Sequence, residues 1–156
     1  MRRSRHLRAT VAAVTATAVA GGIGTDVRSG WYAGLDKPGW QPPGWVFGPA
    51  WTTLYGLIAV GSARVLDRAP ADERRTFALA LGANLVLNTG WTWVFFSAKR
   101  PHLALAEILV LEASTLDLVR RAARVDPAAA GLLAPYAGWV GFATALTASI
   151  ARRNPS

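Results

Sequence analysis

Three stretches of this chain are too long, too apolar and too free of charge to suit a water-soluble domain. "PGWVFGPAWTTLYGLIAVGSA" (43–63), "TFALALGANLVLNTGWTWVFFSA" (76–98) and "AAAGLLAPYAGWVGFATALTASIA" (128–151) carry no acidic or basic side chain. A hydrocarbon core ~30 Å thick is crossed by about 20 helical residues at ~1.5 Å each, so every one of them is long enough to span it. A fourth run, "ATVAAVTATAVAGGIGT" (9–25), is shorter and made of small residues, and a fifth, "LALAEILVLEASTLDLV" (103–119), is apolar apart from Glu107, Glu112 and Asp117. The chain therefore reads as an all-α integral membrane protein. The expected architecture is a five-transmembrane-helix bundle with helices at about 9–25, 43–63, 76–98, 102–119 and 128–151, in one domain over 1–156. The first run follows "MRRSRHLR" and so shares the basic start of a secretory signal. Its continuation through "GGIGT" into the next segment favours a helix that is kept.

The net charge of +8 would suggest nucleic acid in a soluble chain. Here the cations sit in short clusters between the apolar runs. Arg2, Arg3, Arg5, Arg8, Arg64, Arg68, Arg74, Arg75, Arg120, Arg121 and Arg124 fall on the N-terminal side of the five helices. Arg28, Lys37, Lys99, Arg100, Arg152 and Arg153 fall on the other. The positive-inside rule then puts the N-terminus in the cytoplasm, with the segment after the first helix outside; the alanine- and arginine-rich composition points to a bacterial cell membrane. The positive charge is accounted for by topology, and no nucleic-acid partner is expected. There is no cysteine, which excludes disulfides, thiolate metal sites and thiol nucleophiles. His6 and His102 have no second histidine at ligand spacing, and no phosphate loop or nucleophile elbow is present. No metal site is expected.

Helical spacing assigns faces. Phe47, Trp51, Leu54, Tyr55 and Ile58 recur at three- and four-residue intervals, as do Asn84, Asn88, Trp91 and Phe95, and Tyr136, Trp139, Ala143 and Thr147. Each stripe mixes rings with hydrogen-bonding groups. An unpaired amide in hydrocarbon costs several kcal/mol, so Asn84 and Asn88 should turn inward. Ordinary alternatives exist for single residues: interfacial tryptophan and tyrosine, and asparagine that only joins helices. Ala78 and Gly82 form a small-xxx-small pair that suits a dimer contact or an intrachain one. In the fourth membrane helix, Glu107, Glu112 and Asp117 project in three different directions, at roughly 0°, 140° and 280°. Asp117 can pair with Arg120 or Arg121, Glu107 is expected inside, and Glu112 has no sequence-local partner.

The segment "WYAGLDKPGWQPPGWVFGPAWTTLY" (31–55) holds four of the seven tryptophans, Trp31, Trp40, Trp45 and Trp51, among Pro38, Pro42, Pro43 and Pro49. Proline removes an amide donor and pushes the preceding residue towards extended geometry, so a rigid loop entering a helix near Pro43 is expected. This segment closely resembles the signature of the TspO/MBR family of tryptophan-rich sensory and translocator proteins. The likeness continues through "GG" at 21–22, Asn88 with Trp91, "FF" at 95–96, "ALAE" at 104–107 and "PYAGWVGFAT" at 135–144.

The resemblance implies a five-helix bundle, usually a homodimer, with a pocket near the tryptophan loop for tetrapyrroles. Protoporphyrin or haem would be bound there without covalent attachment. By matching positions, the pocket falls on Trp31, Tyr32, Pro42, Trp51, Asn84, Asn88, Trp91, Phe95, Trp139 and Ala143. The resemblance also carries three functional readings: a sensor or regulator of porphyrin metabolism, a light-dependent protoporphyrin-degrading enzyme with Trp51 and Trp139 beside the ring, and a transporter. The sensor is placed first, because no acid–base pair supports classical catalysis and no inverted repeat is visible. Two departures stand out. Thr147 replaces a frequent asparagine, and "ALTASIARR" lacks the tyrosine of the sterol-recognition pattern. Arg28–Tyr32–Leu35 and Arg75–Phe77–Leu79 fit only its weak reversed form.

Overall fold

In the computed structural model, residues 2–155 are described, with the side chains of residues 5–155; Arg2 and Arg3, counted above among the cations, lie outside the described side chains. The elements are α1 (Arg2–Gly24), α2 (Gly30–Gly34), a 3₁₀ turn (Gly44–Val46), α3 (Phe47–Arg68), α4 (Ala71–Thr92) running into a π-helical turn (Trp93–Ser97), α5 (Pro101–Val125) and α6 (Pro127–Arg153). Among the described residues there is no strand.

The five long helices extend past the uncharged runs because Arg, Lys, Glu and Asp beyond a hydrocarbon core still form helix at little cost. That is why α1, α3, α4 and α5 begin or end several residues outside the bounds given by apolarity. Prolines punctuate the chain where expected. Pro70 precedes α4, while Pro101 and Pro127 start α5 and α6, where the missing amide donor is not needed. One boundary moves the other way. Pro43 starts only a 3₁₀ turn, so α3 begins at Phe47. The loop is also less irregular than its prolines suggest, because Ser29 caps the short α2 by accepting from the Tyr32 amide at 3.2 Å.

The long helices close into a ring in the order α1, α3, α6, α5, α4. The first apolar run is thus an integral wall, with Thr10, Val14 and Thr17 buried. By length and apolarity three helices could cross a membrane: Arg5–Gly24, Ala71–Ser97 and Pro127–Arg153. The same measure leaves out α3 and α5. α3 is diluted by Arg64, Asp67 and Arg68, and α5 by its acids and its arginine-rich end. Close packing joins α3 to α6 at Gly61, where an added methyl would lie 3.1 Å from Leu133 Cγ, 3.2 Å from Leu132 Cβ and 3.3 Å from the Ala129 carbonyl. Gly61→Ala should therefore cost about 1–3 kcal/mol by overpacking, despite alanine's better helix propensity, as read from detergent-solubilised thermal unfolding.

Because successive long helices alternate in direction, the two ends of the bundle collect the cation groups counted above. The N-terminal, or basal, end is tied by charge. His6 Nδ1 lies 2.7 Å from Asp67 Oδ1, and Asp126 meets Arg64 at 2.9 Å and Arg68 at 3.4 Å while capping α6 through the Ala128 amide. The hydrogen bond from Arg64 holds the Asp126 carboxyl below the ordinary aspartate range. A depressed carboxyl contributes stability that is complete above its unfolded value, about 3.9, and is lost as pH falls through the folded value. The melting-temperature gap between wild type and Asp126→Asn should therefore be widest near neutrality and narrow as pH drops below about 4.

Candidate functional site

The end opposite the basal one is closed by residues 25–46, which form a lid latched to the end of α6. The Asp36 amide donates to Asn154 Oδ1 at 2.9 Å, and Asn154 Nδ2 donates to the Asp36 carbonyl at 2.9 Å and to the Ile150 carbonyl at 2.8 Å. Lys37 stiffens the lid from within. Its Nζ donates to the Tyr32 and Leu35 carbonyls at 2.5 and 3.2 Å and lies 4.5 Å from the Tyr32 ring centre. Gln41 Nε2 donates to the Tyr32 hydroxyl at 3.2 Å.

Beneath the lid, the rings sort into two clusters. In one, Trp31 and Tyr32 from α2 meet Phe95 edge-on at 5.8 and 6.5 Å, and Trp91 stacks on Phe95 at 5.4 Å. The π-helical turn shifts the register here so that Phe95 and Phe96 are both buried, at 4.9 Å from each other. In the other, Trp51 stacks on Tyr55 at 5.4 Å and meets Tyr136 and Trp139 edge-on at 6.4 and 6.3 Å. Phe47 and Phe142 flank Trp139, and Trp40 of the lid leans on Phe142 at 5.9 Å.

A chain of hydrogen bonds in the bundle interior runs from α3 through α4 and α6 to α5. Tyr55 donates to Asn88 Oδ1 (3.1 Å), Asn88 Nδ2 to the Tyr136 hydroxyl (3.1 Å), Tyr136 to Asn84 Oδ1 (2.8 Å), and Asn84 Nδ2 to Thr115 and Ser114 (3.0 and 3.2 Å). Thr115 closes the chain on the Leu111 carbonyl at 2.8 Å. Asn84, Asn88 and Tyr136 are only 0, 4 and 0 % exposed, so the polar interior is nearly dry and its groups satisfy one another.

The sequence pattern of the TspO/MBR family matches residues 9–153. The chain belongs to the TspO/MBR family. It is 38% identical over 126 residues to the human translocator protein, covering 80% of this chain and 75% of that one. It is 34% identical over 142 residues to the tryptophan-rich protein TspO of Chlorobaculum tepidum, 90% of each chain. It is 37% identical over 124 residues to the tryptophan-rich sensory protein of Cereibacter sphaeroides, 80% and 77% of the two. Family and apolar helices together make this TspO/MBR member an integral membrane protein.

The positions carried over from the family separate into three groups. Trp31, Tyr32, Trp91 and Phe95 share the first ring cluster, Trp51 and Trp139 share the second, and Asn84 and Asn88 belong to the polar chain, which meets the second cluster through Tyr55 and Tyr136. Ala143 packs on the core beside them, and Pro42 is half-buried in the lid. Thr147, the departure from the family pattern, is buried and spends its hydroxyl on the Ala143 carbonyl at 2.8 Å. Tyr55 and Tyr136 lay on the stripes but were not singled out for the site. Thr115 and Ser114 gave no signal, because periodicity names a face and not the neighbour across it.

The α5 acids occupy three environments, as their angles require. Glu107 Oε1 lies 3.6 Å from where a methyl on Gly90 of α4 would sit, and Glu112 Oε1 lies 3.4 Å from the same point on Gly141 of α6. Both Glu107 oxygens and Glu112 Oε2 are buried without a hydrogen-bond partner. Asp117 pairs with Arg120 and Arg121 at 2.7 and 2.5 Å.

Cavities among the described residues open beside Trp139 and beside Trp31. A groove of about 550 Å³ runs between α3 and α6 on the outside of the ring, with Trp45, Leu57, Pro135 and Trp139 in its walls. The other, about 460 Å³, opens between α2 and the start of α5, beside Trp31.

Proposed function

We propose that this chain is a membrane tetrapyrrole-binding sensory protein, taking protoporphyrin or haem without covalent attachment beneath the lid. The observation that carries this reading is the pair of ring clusters beneath the lid, with the buried amides of Asn84 and Asn88 beside the second of them. Flat polarisable faces with a few placed amides and hydroxyls are what a planar, mostly apolar macrocycle requires. The names of the relatives, tryptophan-rich sensory protein and translocator protein, support a membrane sensory role.

In this reading all five long helices cross the bilayer. α5 supports it by its outward face, where Leu103, Leu109, Val110 and Leu116 are exposed while Glu107 and Glu112 turn towards neighbouring helices. On α3, Val60 is exposed in the same way. The basal end, with the larger share of arginines, lies in the cytoplasm. Ala78 and Gly82 face outward on α4 beside exposed Leu79 and Val86, so the small-xxx-small pair is available to a second copy and a homodimer forms there.

Light-driven breakdown of the bound ring is the second reading. It is favoured by Trp51 and Trp139 lying edge-on at 6.3 Å, redox-capable rings that would flank a ligand whose own photochemistry does the work. Titrating detergent-purified protein with protoporphyrin in darkness, then illuminating it, tests both. Saturable quenching of tryptophan fluorescence with stable porphyrin bands supports the sensor. Bleaching that needs the protein and is lost in Trp139→Phe supports turnover, and absence of saturable quenching refutes both.

A further inference from the structure

The cavity between α2 and the start of α5 is lined by two unlike sets of residues. Trp31, Leu35 and Pro101 form an apolar wall, and Trp31 is the ring that meets Phe95 edge-on, so this wall is the outer face of the first aromatic cluster. Lys99 and His102 line the same cavity. Neither has a hydrogen-bond or ion-pair partner among the described residues, and both are exposed. Lys99 is held at φ 57°, in the left-handed region that non-glycine residues seldom occupy, at the corner between the π-helical turn and α5.

The other polar side chain in the lining, and two charged groups close to it in the lid, are already engaged. Asn154, which also lines the cavity, uses both ends of its amide in the lid latch. Asp36 is 3.6 Å from Arg153. Lys37, the cation inside the lid, has its Nζ on two backbone carbonyls. What remains in the lining is a lysine and an imidazole without partners among the described residues, sharing with an indole a space of about 460 Å³.

We propose that this cavity is a carboxylate subsite. Lys99 and His102 take the anionic edge of an amphipathic ligand whose apolar ring lies against the aromatic cluster behind Trp31. The inference rests on the tetrapyrrole reading above and identifies the residues that would meet the macrocycle's propionates. Charge-assisted hydrogen bonds of this kind are about twice as strong as neutral ones, so they discriminate a free acid from its ester.

Dark quenching titrations with protoporphyrin and with its dimethyl ester test this in wild type, Lys99→Gln, His102→Gln and the double variant. Lys37→Gln serves as a control for damage to the lid. The wild type should prefer the diacid. The double variant should lose about tenfold in diacid affinity while its affinity for the ester stays unchanged, so that the preference disappears. Lys37→Gln should weaken both ligands alike. A double variant that keeps the wild-type preference overturns the subsite and leaves the tetrapyrrole reading standing. A wild type that binds neither form overturns the reading itself, and the subsite with it.

Discussion

Tyr136→Ala is expected to destabilise the bundle by about 3–5 kcal/mol, a large share of what holds a chain of this size together. Tyr136 is fully buried on α6, touches Trp51 edge-on, and is the only group in the polar chain that both accepts from Asn88 and donates to Asn84. Alanine would leave a cavity the size of a phenol ring and strand two buried amides. Tyr136→Phe separates the terms. It keeps the ring and removes the hydroxyl, and hydrogen bonds between membrane helices are individually modest, so its cost should be about 1–2 kcal/mol. Unfolding in mixed micelles, followed by circular dichroism, would resolve the two. Equal losses in both variants would mean that the hydroxyl and not the ring carries the effect.

Trp91→Ala should lower dark protoporphyrin affinity by roughly 30-fold, the equivalent of about 2 kcal/mol for a half-buried tryptophan that offers its face to the ligand. Trp91 is stacked on Phe95 and meets Phe96 edge-on, so its loss removes a flat face and loosens the ring on which Trp31 leans. Its indole Nε1 is buried without a partner, a donor left over for a ligand acceptor. Trp45→Ala, by contrast, should leave affinity within a factor of about two, since Trp45 is 76 % exposed on the outer groove. Equilibrium quenching titrations of the two variants make the comparison.

Much of this arrangement is legible from the residues. The absence of charge marks the runs at 76–98 and 128–151, both within helices long and apolar enough to cross a membrane, and the three- and four-residue spacing of Asn84, Asn88, Trp91 and Phe95 finds the inward face. Asp117 is paired where its spacing to Arg120 and Arg121 says it should be. The rest fails for identifiable reasons. Charged residues are good helix formers, so apolarity locates the spans and not the helix ends at Arg68, Ala71 or Val125. Nothing local marks the π-helical turn at Trp93–Ser97, which arises where the helix must bring both phenylalanines inward. Glu112 had no partner in sequence because what receives it is an absence, the missing side chain of Gly141 on another helix. Lys37 and Lys99 look alike as letters. Only the fold shows that the first is spent on backbone carbonyls and the second is not.

The central claim is where the ligand sits, and the seven tryptophans report it. Protein labelled with ¹⁵N would be titrated with manganese(III) protoporphyrin while the indole N–H signals are followed by NMR, since paramagnetic broadening falls steeply with distance. Signals of Trp31, Trp51, Trp91 and Trp139 should vanish first, with Trp45 persisting. Broadening confined to Trp45, or spread evenly over all seven, would place the porphyrin outside the bundle and contradict the account.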